Sequence, residues 1–243
     1  MRPRRANSPD GEFYNYIDFI QIGNIPLLVL GRYPNLKYIY LSSNWEWIES
    51  KARDRISMFK EVCMIYIETP RLILRDWKEE DLQAFRELNS DKEVMGYFPK
   101  TYTEEETDAF YKAIKKEFEE CNFGLYAAEV KESSRFIGMI GFHRASFEAD
   151  FTPCVEIGWR LKRDAWGKGY ATEGAKACLE YGFTKLNFKE VYSFTAKINK
   201  PSENVMKKIG MHYVKDFDHP RIEPSNKLCR HVLYVIRNID LDK

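Results

Sequence analysis

The stretch from Trp166 to Gly174, Trp-Gly-Lys-Gly-Tyr-Ala-Thr-Glu-Gly, has the residue types of an anion-binding turn. Gly167 and Gly169 lack a Cβ, so their backbone can adopt unusual dihedral angles and approach a ligand closely. Lys168 adds a positive charge between them. A helix that begins just after such a turn presents unpaired N–H groups and the positive end of its dipole. The stretch is therefore a candidate site for a phosphate or diphosphate.

The flanking residues predict a strand before this turn and a helix after it. Residues 155–161 alternate apolar and polar side chains, as a strand does. Small and apolar residues then recur at helical spacing, at Ala171, Ala175, Cys178, Leu179, Gly182 and Phe183. A P-loop would need Ser or Thr after Gly167-Lys168, and the dinucleotide fingerprint would need a small residue where Thr172 stands. A glycine-rich connection that binds nothing remains the alternative.

Composition narrows the function classes. The formal net charge of +1 over 243 residues gives no reason to expect nucleic acid or an anionic membrane as a partner. No apolar run approaches the roughly 20 residues that span a bilayer, and the N-terminus has no signal-peptide pattern. The five cysteines never form Cys-x-x-Cys, which favours free thiols in a reducing, cytoplasmic compartment. The four histidines show no metal-ligand spacing, so we expect no metal.

Residues 1–63 contain no group of side chains whose types and spacing indicate catalysis or ligand binding. Residues 1–11 read as a disordered lead, residues 25–30 and 38–41 as short strands, and residues 43–59 as a helix. Two interpretations stay open for this segment. It is an accessory extension, or it lies upstream of a natural start near Met64.

The chain becomes regular from Ile65. Residues 67–75 read as one strand, with Pro70 suited to a sheet edge, and a helix follows from Lys78. A second helix over 103–120 has a capping box of Thr103 and Glu106. It carries seven acids, at 104, 105, 106, 108, 117, 119 and 120. They form either a wall that attracts a cationic amine or a solvated face.

The second half predicts more strands than helices. Residues 123–131 and 135–142 read as a hairpin, residues 147–153 as a loop, and residues 190–196 as a strand. Pro201 and Gly210 suit the start and the stop of a short helix. Segments 213–214 and 231–236 read as the last strands. Together these elements predict an α+β fold with a mixed, mostly antiparallel sheet flanked by helices.

Three motifs carry a resemblance to the GNAT superfamily of N-acetyltransferases. The glycine turn resembles its acetyl-CoA pyrophosphate loop, Gln/Arg-x-x-Gly-x-Gly/Ala, with Gly169 and Ala171 at the last fixed positions and Trp166 where Gln or Arg is usual. The run Glu-Thr-Pro-Arg-Leu-Ile-Leu-Arg at 68–75 resembles the opening strand of the RimJ/RimL-type branch. Asn-x-x-Ser at 199–202 resembles the motif that follows the fifth strand of the fold. The resemblance covers residues 65–237, so we expect an extension over 1–63 and a GNAT domain over 64–240.

This resemblance implies how acetyl-CoA is held. In the three-layer GNAT fold the fourth and fifth strands splay apart, and the pantetheine arm pairs with exposed backbone of the fourth strand. That backbone is Trp159, Arg160 and Leu161 here. The diphosphate is expected on the turn and helix start, at Trp166, Gly167, Lys168, Gly169, Tyr170, Ala171 and Thr172. Asn199, with Asn204 as a second candidate, is expected to bind the pantetheine amides.

The resemblance also implies catalytic roles. Glu156 matches a glutamate that removes the amine proton, although a strand glutamate that faces solvent or pairs with a lysine has the same letters. Many GNAT enzymes donate a proton to the thiolate from a tyrosine, but Met206 stands at that position and has no proton to donate. In the RimJ/RimL-type branch that this chain resembles, a serine at the Asn-x-x-Ser position can serve instead. The resemblance therefore makes Ser202 the candidate donor, while a helix-capping role is the compatible alternative. Asp218, His219 and His231 are candidates to bind a cationic or peptide acceptor or to relay a proton, and the alternative is that they are ordinary structural residues.

The implied activity is transfer of an acetyl group from acetyl-CoA to an amine by direct attack in a ternary complex. The acceptor class stays open among protein N-terminal amines, polyamines, antibiotic amines and small metabolites. We expect a monomer or a homodimer with no nucleic-acid or membrane partner. The alternative from another class is a non-catalytic acyl-CoA-binding or regulatory module, which Met206 and the unusual Trp166 would favour.

Overall fold

The computed structural model describes residues 63–238 and, before them, the backbone of two strands. These are β1 (Tyr16–Ile22) and β2 (Ile25–Gly31), which pair antiparallel. They belong to a compact unit of residues 1–60, and residues 61–243 make up a second unit. β2 confirms the strand predicted at 25–30, whereas β1 was not predicted. The lead at 1–11, the strand at 38–41 and the helix at 43–59 lie outside the described residues.

The second unit is built on an eight-stranded sheet. Its strands are β3 (Ile65–Glu68), β4 (Leu72–Arg75), β5 (Leu125–Val130), β6 (Arg135–Ala145), β7 (Cys154–Leu161), β8 (Glu190–Ala196), β9 (His212–Asp218) and β10 (Arg230–Arg237). Their order in the sheet is β3-β4-β5-β6-β7-β8-β10-β9. Every neighbouring pair is antiparallel except β7 and β8, which are parallel. The expected mixed, mostly antiparallel sheet is confirmed.

Four helices cover the two faces of this sheet. They are α1 (Asp81–Ser90), α2 (Glu104–Cys121), α3 (Tyr170–Thr184) and α4 (Lys200–Lys208). One core cluster contains Cys178 and Leu179 of α3 and Met206 of α4, and the other contains Phe85 of α1 and Ile114 of α2. The sheet therefore lies between two helical layers, as expected for an α+β three-layer fold. The capping box of α2 is confirmed by reciprocal hydrogen bonds between Thr103 and Glu106.

The strand predicted over 67–75 was wrong, because two short antiparallel strands, β3 and β4, lie there. Leu72 N donates to Thr69 Oγ1 over 2.8 Å and Thr69 N donates to Leu72 O over 2.9 Å, which closes a turn around Pro70. The next helix also begins later than Lys78. Asp81 Oδ2 accepts a hydrogen bond from Lys78 N over 2.8 Å, so residues 78–80 form a turn ahead of α1.

The junction of β7 and β8 is where the sheet opens. Among the described residues, these two strands pair at one position, where Glu156 is opposite Tyr192. Ser193 Oγ donates to Ile157 O over 2.9 Å and fixes the vertex. Beyond it, the carboxyl ends of the two strands are not paired with each other. The divergence of these two central parallel strands opens a cleft between their carboxyl ends.

Gly138 of β6 keeps the far end of β7 close to its partner strand. Its φ is +134°, and a Cβ built there would lie 2.1 Å from Arg160 O. No other residue type fits so close an approach in that conformation. The strand β7 is thus tightly paired on its β6 side and open on its β8 side.

Candidate functional site

The glycine turn connects the end of β7 to the start of α3. A short 3-10 turn over Arg163–Ala165 precedes it, and α3 begins at Tyr170. Gly167 has a φ of +72° and Gly169 a φ of +81°, both in the region that favours glycine. Gly169 occupies the N-cap position and no side chain caps the helix there. No side chain therefore caps the first N–H groups of α3, which is the arrangement that an anion site needs. The anion site itself stays a prediction.

Arg71 and Glu173 hold this turn in place. Glu173 accepts hydrogen bonds from Thr69 Oγ1 over 2.7 Å, Arg71 N over 2.9 Å and Arg71 Nε over 2.6 Å. Arg71 Nη1 also donates to Lys168 O over 2.9 Å, and its guanidinium lies 4.7 Å from the centre of the Tyr170 ring. Burial alone would raise the pKa of Glu173, but these hydrogen bonds lower it.

This ion pair matters because a lone carboxylate in the first turn of α3 would repel an anion bound there. Arg71 neutralises Glu173 and places a half-exposed guanidinium beside the turn. Sequence analysis did not identify either residue as functional. Arg71 lies in the motif at 68–75 and Glu173 in the glycine turn. They are 102 positions apart, so no local sequence pattern indicates that they form an ion pair.

Trp166 folds back onto the end of β7. Its indole Nε1 donates to Leu161 O over 2.8 Å, while 44% of the residue is exposed. The backbone of Trp159, Arg160 and Leu161 pairs with β6, and no described strand pairs with it on the other side. That free side faces the cleft, where the sequence expectation places the pantetheine arm.

The Arg160 side chain is buried between β7 and the segment that joins α1 to α2. It donates to Asn89 Oδ1, and its guanidinium lies 4.2 Å from the centre of the Phe98 ring. Its Nε has no hydrogen-bond partner among the described residues. Burial lowers its pKa to about 10. The Arg160 side chain thus holds this segment against β7. Only the backbone of Arg160 remains a candidate contact for a ligand in the cleft.

Glu156 lies at the vertex of the cleft. It is half-buried, and no described residue donates a hydrogen bond to its carboxylate or forms an ion pair with it. Burial raises its pKa to about 8, the charge of His143 lowers it, and the charge of Glu117 raises it. A carboxyl group with such a pKa exchanges protons near neutral pH, which suits a general base. The lysine pairing considered from sequence does not occur among the described residues.

His143 and Glu117 stand beside Glu156, and neither was singled out from sequence as a site residue. His143 faces Glu156 across the β6–β7 pair. Its Nδ1 lies 2.9 Å from Glu117 Oε2, and Arg144 N donates to Glu117 Oε1 over 2.8 Å. The hydrogen bond to Glu117 raises the pKa of His143. Other acids of α2 pair with surface cations instead, such as Asp108 with Arg86 at 2.6 Å.

Asn199 and Ser202 lie where β8 gives way to α4. Asn199 is the N-cap of α4: its Oδ1 accepts from Ser202 N over 3.3 Å and its Nδ2 donates to Thr195 Oγ1 over 2.9 Å. The alternative in which Ser202 caps this helix was therefore wrong. The Ser202 hydroxyl is half-buried and has no partner among the described contacts. Met206 is buried in the core and Asn204 is exposed.

The three candidate acceptor residues lie on β9, on β10 and in the link between them. Asp218 accepts from Arg230 Nη1 over 3.1 Å and is exposed. The rings of His219 and His231 lie 5.0 Å apart, and that of His219 lies 4.7 Å from Phe147. Burial lowers the pKa of His219 to about 4 and also lowers that of His231. Both imidazoles are thus neutral at pH 7 and suit an aromatic contact better than a proton relay.

A cavity of about 420 Å³ lies at the first residues of β7 and β8, at the opposite end of these strands from the glycine turn. Phe151, Cys154 and Tyr192 are among its lining residues. In the part of the chain that the structure describes, no cluster of three metal-ligand side chains occurs. None of the helices described is both long enough and apolar enough to cross a bilayer.

Comparisons with known proteins agree with this geometry. Residues 71–212 match the family model described as acetyltransferase (GNAT) domain. An uncharacterized N-acetyltransferase, YnaD of Bacillus subtilis, is 36% identical over 60% of this chain and 82% of its own length. Spermidine N(1)-acetyltransferase of Escherichia coli is 26% identical over 60% of this chain and 75% of its own. A crystal structure of a GNAT-family acetyltransferase from Bacillus anthracis is 30% identical, covers 72% of this chain and 98% of its own, and has a TM-score of 0.60.

Proposed function

Because the chain belongs to the GNAT family of acetyl-CoA-dependent N-acetyltransferases, we propose that it acetylates a primary amine by direct attack within a ternary complex. The observation that carries this proposal is the uncapped start of α3 directly after β7, beside the cleft between β7 and β8. The turn offers free N–H groups, Lys168 and Arg71 to a diphosphate. The unpaired backbone side of Trp159–Leu161 offers an edge to the pantetheine arm.

The proposed proton transfers use Glu156 and Ser202. Acetyl-CoA supplies the activated thioester. Glu156 accepts a proton from the acceptor nitrogen as that nitrogen bonds to the carbonyl carbon. Ser202 donates a hydrogen bond to the departing thiolate, a role that its unpartnered hydroxyl leaves open. Asn199 already serves as helix cap, which fixes the position of Ser202 relative to the end of β8.

Release of free CoA thiol from acetyl-CoA tests this proposal. The wild-type protein is incubated with N-terminal peptides, polyamines, aminoglycosides and simple alkyl- and arylalkylamines. We expect turnover with one class, a loss of at least about 100-fold in Glu156→Gln, and a smaller loss in Ser202→Ala. Glu132→Gln, the same change in an exposed β5–β6 turn, is the matched control. Full activity of Glu156→Gln would refute the assignment of the base.

The second candidate function is a non-catalytic acyl-CoA-binding module. Met206 favours it, because this buried side chain has no proton for the thiolate. Calorimetry separates the two candidates. Binding of acetyl-CoA with no thiol release across the amine panel would support the module, whereas turnover would exclude it.

The finer assignments remain proposals. We propose a RimJ/RimL-like subtype, a catalytic domain over residues 64–240, and a monomer or homodimer. The five cysteines are unpaired, which supports a reducing compartment such as the cytoplasm. Mass spectrometry of the native N-terminus tests whether residues 1–63 are part of the translated protein, since peptides from this segment would exclude a start at Met64.

A further inference from the structure

The three groups Glu117, His143 and Glu156 form a carboxylate–imidazole–carboxylate series across α2, β6 and β7. His143 and Glu156 are directly opposite in the β6–β7 register, so their side chains project on one face of the sheet. Glu117 reaches His143 from α2, with 2.9 Å between Oε2 and Nδ1. Its other oxygen is fixed by Arg144 N at 2.8 Å. The imidazole is therefore held by Glu117, on the same face of the sheet as Glu156.

The hydrogen bond determines which ring nitrogen of His143 can exchange a proton. A carboxylate only accepts, so Nδ1 carries a hydrogen in both protonation states of His143. Nε2 is then the titrating atom. About half of the His143 side chain (51%) is exposed to water, whereas the Glu117 side chain is 14% exposed.

The reaction needs an exit for one proton. Two protons leave the ammonium nitrogen in each turnover. One ends on the CoA thiol, and the other must reach solvent. No described residue hydrogen-bonds to the Glu156 carboxyl, and His143 is the titratable group directly opposite it on β6, so His143 is the candidate route for that proton.

We infer that His143, positioned by Glu117, accepts the proton from Glu156 at Nε2 and passes it to solvent. This inference rests on the proposed function and deepens it. Neutral His143 gains a proton as the Glu156 carboxyl loses one, and Glu117 stabilises the imidazolium. Exit of the proton to water returns His143 to its neutral form. His143 is a proton-transfer residue and Glu117 a positioning residue.

The charges that face His143 are Glu117 from α2, Glu156 from β7 and Arg221 from the β9–β10 link. Those that face Glu156 are His143 and Glu117, and the Cys154 thiol lies close to Glu156 on its own strand. Glu117 makes His143 easier to protonate, and a protonated His143 makes Glu156 easier to ionise. The His143→Gln variant should therefore move the rising limb of kcat/KM to higher pH.

The test combines kinetics with titration. We expect His143→Ala and Glu117→Gln to lower kcat by about tenfold with little change in KM, and added imidazole to restore part of the rate of His143→Ala. His212→Gln on the outer strand β9 is the matched control. Wild-type kcat and an unmoved pH profile in both variants would overturn the relay.

Titration followed by NMR keeps the relay testable if the proposed function fails. Absence of thiol release from the wild-type protein with every amine would refute the function. In the same samples, the pKa of His143 should fall in Glu117→Gln, and that of Glu156 should rise in His143→Gln. If neither pKa moves, the coupling is absent and the relay is overturned whatever the turnover.

A second inference concerns the acceptor and rests on different side chains. Four phenylalanines and two histidines form a ring cluster between the loop after β6 and strands β8 to β10, consisting of Phe147, Phe151, Phe194, Phe217, His219 and His231. The cluster reaches Tyr192, the residue opposite Glu156 in the β7–β8 pair, since the Phe151 ring lies 6.2 Å from the Tyr192 ring.

The charges around the ring cluster disfavour a second ammonium group. Lys215 Nζ lies 5.8 Å from the centre of the Phe151 ring, and the Arg221 guanidinium lies 6.0 Å from that of Phe147. The aspartates there are already paired, Asp150 with Lys215 at 2.6 Å and Asp218 with Arg230 at 3.1 Å. A polyamine would therefore find neither of these aspartates free for its second ammonium group, whereas a flat apolar group would contact the rings.

We infer that the acceptor is an arylalkylamine, with its amine at Glu156 and its ring against the ring cluster. This also rests on the proposed function. We expect kcat/KM for phenethylamine to exceed that for spermidine by at least about tenfold, and Phe151→Leu to raise KM for phenethylamine but not for butylamine. A preference for spermidine would overturn this inference and leave the proposed function standing. No turnover with any amine would instead refute the function.

Discussion

The raised pKa of Glu156 predicts that the catalytic carboxylate costs folding stability. Its pKa moves from an ordinary value of 4.5 to about 8, chiefly because of burial. The native state therefore holds this proton over a range in which the unfolded state has lost it. Stability must fall as pH rises from 4.5 to 8 and level off above that.

The size of this effect follows from the shift. At 1.36 kcal/mol per pH unit, a shift of this size corresponds to an upper limit of about 5 kcal/mol in the free energy of unfolding. Glu156→Gln keeps the shape and removes the ionisation. The variant should match the wild-type protein at pH 4 and differ from it by less than about 1 kcal/mol at pH 5. At pH 9 it should be more stable by about 3 kcal/mol or more, after relaxation around the charge is allowed for.

Urea unfolding at pH 5, 7 and 9 measures this difference, and a melting-temperature series offers a check at about 2–4 °C per kcal/mol. Glu132→Gln, an exposed acid, should show no pH-dependent gain. If Glu156→Gln is no more stable than wild type at pH 9, the carboxyl group is not held in a desolvated site. The pH argument for its catalytic role would then fail.

Three further predictions concern the framework of the site. Gly138→Ala should lower the free energy of unfolding by about 3 kcal/mol or more in urea titrations, because its Cβ would lie 2.1 Å from Arg160 O at a φ of +134°. A loss under 1 kcal/mol would contradict the tight pairing there. Arg71→Gln should raise KM for acetyl-CoA about five- to tenfold with kcat within twofold, since the guanidinium that neutralises the charge of Glu173 is then lost. The double change with Glu173→Gln should recover part of the affinity, and no recovery would contradict the charge argument. Lys200, Lys207 and Tyr234 lower the pKa of Glu203 to about 2. Glu203→Gln should therefore lower the free energy of unfolding by about 1–2 kcal/mol at pH 7. That loss should shrink as pH falls from 4.5 to about 2, because the unfolded state takes up a proton in this range before the native state does. A loss constant with pH would point to packing instead.

Local patterns located most elements but not their partners. β8 has the predicted bounds of 190–196, and the α2 cap and the glycine turn were read directly from residue type and spacing. The hairpin of β3 and β4 was missed because both strands are four residues long and apolar letters run on either side of Pro70. The choice between one strand and two depends on pairing within the sheet, which no local spacing records.

The same limit applies to the site. Glu156 was identified because its place on the strand before the glycine turn resembles that of a GNAT glutamate. His143 and Glu117 come from two other elements and are 26 residues apart. Their meeting depends on the β6–β7 register and on how α2 packs on the sheet. The seven acids of α2 looked equivalent in sequence. Tertiary packing distinguishes Glu117, whose carboxylate binds an imidazole and a backbone N–H, from its neighbours on the same helix.

These contacts explain how one carboxyl group can serve as a base near neutral pH. Burial by itself would keep Glu156 protonated to higher pH, and the nearby Glu117 charge acts in the same direction. His143 opposes both, because its positive charge lowers the pKa of Glu156. Glu117 therefore has two opposed effects on Glu156, a direct repulsion and an indirect stabilisation through the imidazolium. The balance of these effects sets the pH at which Glu156 becomes a base, and changing either partner should move that pH.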